Sequence, residues 1–170
     1  MTHVLPALAL IGTLAGCAPK DSLKLDELAS GIYAKLNPAK RTTIALVGYR
    51  SLTEESSEAF SRYLVDELTT RLVTDGKVTV AERGQLDKVI SELKLQSSGL
   101  VSDASAKQLG QLLGVDSVLV GTYFDQGKEV KVTSKVIATE SGQVIASTVV
   151  MIKKDKVIAK LLPRAPRKPR

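Results

Sequence analysis

Tryptophan is absent from the 170 residues, histidine and cysteine occur once each, and only six residues are Phe or Tyr. These shortages exclude several chemistries in their usual forms. A single thiol cannot close an internal disulfide and is a poor start for a metal site. The one histidine, His3, stands at the N-terminal end, in a stretch that reads as a removable signal. Zinc sites, Ser-His-Asp triads and Cys-His nucleophiles therefore lack their imidazole. No glycine-rich phosphate loop closed by Lys-Ser or Lys-Thr is present, since Gly110-Gln-Leu-Leu-Gly114 reads as a helix and its stop. With so few rings a sugar-stacking platform has little to be built from. Glu54, Glu55 and Glu58 resemble paired carboxylates on paper, but at the start of a helix such groups sit in water and favour its dipole. The sequence thus points away from an enzyme and predicts no catalytic residue, no metal and no cofactor.

What is there begins with the place of the lone cysteine. Cys17 closes Leu14-Ala15-Gly16-Cys17, behind 13 residues from Val4 to Gly16 that carry no charge. That run has the length of a signal h-region and falls short of the ~20 residues of a membrane-spanning helix. Gly16 keeps the bond before the cysteine open to a peptidase. The order of these features predicts a lipoprotein signal peptide over 1–16, acylation on Cys17, and a lipidated linker over 17–22. The flank Met1-Thr2-His3 has no Lys or Arg, and the competing reading is a buried apolar helix with an inert core cysteine. Each buried methylene of an acyl chain contributes ~0.8 kcal/mol, so several chains hold a protein to outer-membrane lipid durably. The segment resembles the leaders of sorted bacterial lipoproteins. With Ala18 where a retained one carries Asp, that resemblance implies the periplasmic face of the outer membrane.

The net charge of +6 conceals a division. Residues 153–170 hold eight of the 24 basic side chains and one of the 18 acidic ones, a balance of +7 that leaves the rest of the chain at −1. The segment ends Pro163-Arg-Ala-Pro-Arg-Lys-Pro-Arg170, and reads as an extended, solvated tail of polyproline character. Arg164, Arg167, Lys168 and Arg170 are its candidate contacts to an anionic surface, either lipid headgroups or a cell-wall polymer. A disordered solubilising end is the other reading. Nucleic acid is not expected as a partner at an envelope address. Truncation after Ala159 is expected to leave stability nearly unchanged, unless Leu161 and Leu162 dock on the core.

Between signal and tail the chain is long enough for one domain. Leu23, Leu28, Ile32 and Leu36 recur at helical spacing and predict a first helix over about 23–36, which Asn37-Pro38 stops. Thr43 to Gly48 is an apolar run of strand length. Beyond a polar stretch, Phe60, Leu64, Leu68 and Leu72 line one face of a long helix that Asp75-Gly76 ends. A short strand over 78–80 precedes a helix carrying Leu86, Val89, Ile90 and Leu93, broken at Ser97-Ser98-Gly99. Ser102 or Asp103 caps another, with Ala106, Leu109, Leu112 and Leu113, and Gly114 stops it. Strands follow over 116–124, over 130–136 with valine and lysine alternating as on a half-exposed strand, and over 144–152. Helical crossovers early require parallel strands, and tight turns late require antiparallel ones. The predicted fold class is therefore α/β: a single three-layer domain over 23–152, with a mixed five-stranded sheet of order 2-1-3-4-5 packed with helices.

Several segments follow one another in a recognisable order. They are Val78-Thr-Val-Ala-Glu-Arg83 with Leu86 and Glu92, Leu109-Gly-Gln-Leu-Leu-Gly-Val-Asp116, and Val120-Gly-Thr-Tyr123, then Val130-Lys-Val132 and Ser141-Gly-Gln-Val144. Across residues 23–152 this succession resembles the FlgO family of flagellar outer-membrane lipoproteins. More distantly it resembles the curli secretion lipoprotein CsgG and the penicillin-binding-protein activator LpoB. The resemblance implies helices packed on a mixed sheet and work through contacts with envelope or flagellar proteins. The alternative it implies is an LpoB-like or CsgG-like lipoprotein that regulates cell-wall synthesis or secretion. CsgG makes its pore with long added hairpins for which this chain has no room, so pore formation is not carried over. LpoB-like reach needs a long spacer after the cysteine, and here only about five residues precede the first helix. Glu82-Arg83, just after a strand and before a helix, reads as a cap or a salt bridge rather than a ligand contact.

Overall fold

The structure is a computed structural model that describes residues 20–36, 42–53, 55–74, 78–93 and 103–163. The signal segment, Cys17, Arg164, Arg167, Lys168 and Arg170 lie outside these residues, as do the helix stops expected at Pro38, Gly76 and Gly99. In chain order the elements are α1 (Lys20–Leu36), β1 (Thr43–Ser51), α2 (Glu58–Thr74), β2 (Thr79–Val80), α3 (Arg83–Glu92), α4 (Asp103–Leu113), β3 (Ser117–Asp125), β4 (Glu129–Ala138), β5 (Val144–Lys153) and α5 (Lys156–Leu161).

The sheet runs β2-β1-β3-β4-β5, the order expected from the connections. β1 lies parallel to both of its neighbours, while β3, β4 and β5 form an antiparallel meander. Alternation along the strands sorts the core into two layers. Ile44, Leu46, Leu119, Val132 and Val150 face α1, α2 and α5, and pack on Leu28, Ile32, Phe60, Leu64, Leu68 and Ile158. Ala45, Val47, Val118, Val120 and Ile137 face α3 and α4, and pack on Leu86, Ile90, Ala106 and Leu109. β1 is central and covered on both sides, which is why it reads as a continuous apolar run.

Two glycines are set by geometry. Gly48, at φ 148°, sits at a register shift between β1 and β3, and β1 continues past it to Ser51 instead of ending there as the apolar run suggests. Gly121 lies under the ring of Tyr49, where a Cβ would stand 2.1 Å from a ring carbon. The ring crosses β3 at this bare spot, and its hydroxyl shares a 2.5 Å hydrogen bond with the buried Ser134 on β4. Burial pushes the Tyr49 phenol well above its ordinary pKa, only partly countered by that bond.

Two boundaries differ from the expectation. α1 begins at Lys20 and takes in part of the segment expected as linker. The extended tail expected from 153 is not found over the first part of that range, because Lys153 ends β5 and Lys156–Leu161 is helix α5. Asp155 caps it, accepting from the backbone N–H groups of Val157 and Ile158 at 2.8 Å each. Ile158 and Leu162 are buried in the larger core layer, with the lysines of α5 turned to solvent. The physical reason is the spacing of Ile158, Leu161 and Leu162, an apolar stripe that the surrounding lysines obscure, and the first proline of the tail falls beyond it. Ser57 ties this end down: its Oγ accepts from Phe60 N–H at the start of α2 and donates to the Leu161 carbonyl.

Candidate functional site

The Glu82-Arg83 pair does what a cap does. The Glu82 carboxylate accepts from Gly84 N–H at 2.8 Å and Gln85 N–H at 2.9 Å, closing the N-terminus of α3. Those two backbone bonds hold its pKa below the ordinary carboxylate range. Arg83 turns back along α3 to Asp87 at 3.0 Å and reaches the Val47 carbonyl at 3.1 Å, so it pins α3 to the edge of β1 beyond the short β2.

At that same edge a cleft of about 900 Å³ opens between β1, the start of α2 and α3. The chain leaves β1 for β2 on one side and comes back as β3 on the other, so this is the place where the strand order reverses, at the carboxyl ends of the parallel strands. Its walls carry Arg50, Arg62 and Arg83 with the hydroxyls of Ser51, Thr53 and Ser56. Arg62 is paired with Glu58 at 2.9 Å. Arg50 is different: its Nε is buried and has no hydrogen-bond partner. A smaller cleft between α1 and α2 shows the contrast, because its cation is consumed internally. There Arg71 binds Asp26 at 2.6 Å and Glu67 at 2.5 Å. Burial alone would lower the Arg71 pKa, but these two carboxylates outweigh it and hold it raised.

A second surface lies next to the first. α3 and α4 cover β1, the first half of β3 and one end of β4, and among the described residues no helix covers the rest of that sheet face. Register places Phe124, Lys131 and Met151 in one row across it, and Thr122, Thr133 and Val149 in the next. Arg50 on β1 pairs with Thr122, so the second row runs from the cleft out onto the open sheet. Phe124 is 37 % exposed and Val149 51 %, among Lys131, Lys135 and Lys153 with one acid, Glu129. A half-apolar, basic sheet face of this kind suits contact with another macromolecule.

Alternation of valine with lysine on β4 does announce this open face in the sequence. Arg50 has a weaker signal, a lone cation breaking an apolar strand, and nothing in the spacing tells what it faces. The lipidation residue Cys17 and the tail residues Arg164, Arg167, Lys168 and Arg170 lie outside the described residues. Among the described residues no helix is long and apolar enough to cross a membrane.

The family model described as curli production assembly/transport component CsgG matches residues 26–134. The fold is similar to the C-terminal domain of LpoB from Escherichia coli, at TM-score 0.63 and 15 % identity over 79 % of this chain and 99 % of that one. The corresponding Salmonella enterica domain gives TM-score 0.62 and 16 % identity over the same shares. Lipoprotein GNA1162 from Neisseria meningitidis is similar at TM-score 0.53 and 14 % identity, over 68 % of this chain and 83 % of that one. At these identities the likeness is one of fold. No curated protein matches the chain.

Proposed function

This chain belongs to the family of the curli production assembly/transport component CsgG, and from that premise we propose that it is a non-enzymatic envelope lipoprotein that works through protein contacts. In this reading Cys17 is acylated and holds the domain at the periplasmic face of the outer membrane. The observation that carries the contact role is the uncovered sheet face, where Phe124, Val149 and Met151 stand among lysines. The solvated face of an antiparallel meander is ordinarily polar, and the apolar side chains on this one are what favour a partner. The absence of an imidazole beyond His3 and of a thiol beyond Cys17 supports the non-enzymatic part. The family match lies with CsgG rather than with FlgO, so a role in secretion or in regulating another envelope protein is better supported than one at the flagellum.

The test is a photo-crosslinking residue placed at Val149 in living cells, with Lys107 on α4 as the control position. A discrete protein adduct from Val149, none from Lys107, and loss of both adduct and membrane association in Cys17→Ser is the expected result. Equal labelling from the two positions overturns the contact surface. Unchanged membrane association in Cys17→Ser overturns the anchor.

A further inference from the structure

Three of the four arginines among the described residues are answered by acids. Arg62 has Glu58, Arg83 has Asp87, Arg71 has Asp26 and Glu67, and Lys154 has Asp125. Arg50 takes part in none of the ion pairs among the described residues, and its buried Nε–H finds no acceptor. A guanidinium in this state is destabilising to keep, since a buried donor retains its desolvation cost without a bond to offset it. Arg50 as a whole is only half-buried and lines the cleft, so its side chain can take an acceptor from outside the chain there. Among the described residues, those lining the cleft around it include three arginines against Glu58 and Asp87. Both carboxylates are engaged with Arg62 and Arg83, which leaves a balance of +1 centred on Arg50.

We propose that this cleft binds a carboxylate of a partner protein, from an acidic side chain or a chain terminus, and that Arg50 holds it. The charge balance suits a monoanion, whereas a phosphate dianion would bring its second charge up against Glu58 and Asp87. The fork of a guanidinium matches a carboxylate with two parallel hydrogen bonds, and the Ser56 hydroxyl lines the same cleft, while those of Ser51 and Thr53 are bonded to each other. Continuity with the open sheet supplies the approach: a segment lying along Val149, Thr133 and Thr122 meets Arg50 at the next position. This inference rests on the contact role proposed above.

The experiment follows the Arg50 Nε–Hε signal by nuclear magnetic resonance in the full chain, identified by its disappearance in Arg50→Gln. The probe is a capped peptide of alternating Glu and Ser, beside its Gln counterpart and inorganic phosphate. The Glu peptide is expected to move the signal saturably, the Gln peptide to leave it in place, and phosphate at equal concentration to move it less. Loss of the charge-assisted pair is expected to weaken peptide binding about tenfold in Arg50→Gln and several-fold in Arg50→Lys, with melting temperature unchanged or raised. Equal binding of both peptides, or unchanged binding by both variants, overturns the site, and phosphate moving the signal as strongly overturns its selectivity. Repeating the Val149 crosslink separates the two levels. An adduct that survives Arg50→Gln at wild-type yield sinks this inference alone, and no adduct from wild type sinks the reading beneath it.

Discussion

Tyr49 leaves β1, passes over Gly121 on β3 and ends at Ser134 on β4, so one ring joins three strands. The bare backbone at Gly121 is what permits the crossing, since the ring and the Thr133 carbonyl at 2.9 Å leave no room for a methyl group. Gly121→Ala therefore forces the ring off its path and leaves the Ser134 hydroxyl buried without its partner. We expect a loss of about 1–3 kcal/mol from overpacking, with more if the hydrogen bond breaks as well. Thermal unfolding of the variant checks this. A melting temperature equal to wild type would mean that the sheet bends to accommodate the methyl, and that Tyr49 is no constraint on it.

Among the elements, α3 depends on an acid at its N-terminus. The Glu82 pKa is lowered from 4.5 by the N–H groups of Gly84 and Gln85, so its folded value lies below its unfolded one. The cap then contributes in full above the ordinary carboxylate range and is lost as pH falls through the depressed value. Glu82→Ala should accordingly melt below wild type near pH 7, and the gap should close as pH falls through the depressed Glu82 value. A gap that stays constant with pH would assign the effect to helix propensity and not to the charged cap. α5 gives the second prediction at this scale. Leu162 is 5 % exposed in the main core, and truncation after Ala159 removes it together with the Leu161 carbonyl that Ser57 holds. The loss should be about 2–4 kcal/mol, and Leu162→Ala alone should reproduce most of it. Denaturant midpoints for the two variants decide the matter.

At the scale of the whole molecule, strand order is the feature most legible in the sequence. Helical segments between early strands force parallel pairing and short turns between late ones force antiparallel pairing, which leaves few sheets to choose from. What stayed hidden follows from interactions that periodicity does not report. Four lysines and nearby prolines conceal the α5 stripe of Ile158, Leu161 and Leu162. The extent of the bare sheet depends on how far α3 and α4 reach, and at 10 and 11 residues they stop short of β5. Arg50 carries a charge that the sequence displays, but its isolation is a matter of which acids the fold turns elsewhere.

The mixed sheet also imposes a timetable. β3, β4 and β5 pair through short turns and can assemble from one contiguous stretch of chain, while β1 needs a neighbour far downstream. Thr43 N–H, at its first residue, is held by Asp116, 73 residues later. Non-local pairings of this kind are the slow ones, because the loop must close before any contact rewards it. During synthesis at ~5–20 residues per second, α1, β1 and α2 have no complete sheet to close against for on the order of 4–15 s. Most of the larger core layer is carried by those three elements and by strands not yet made. The first half of the protein is therefore kept open by topology until its second half exists, so its apolar faces stay available to any partner that meets the growing chain.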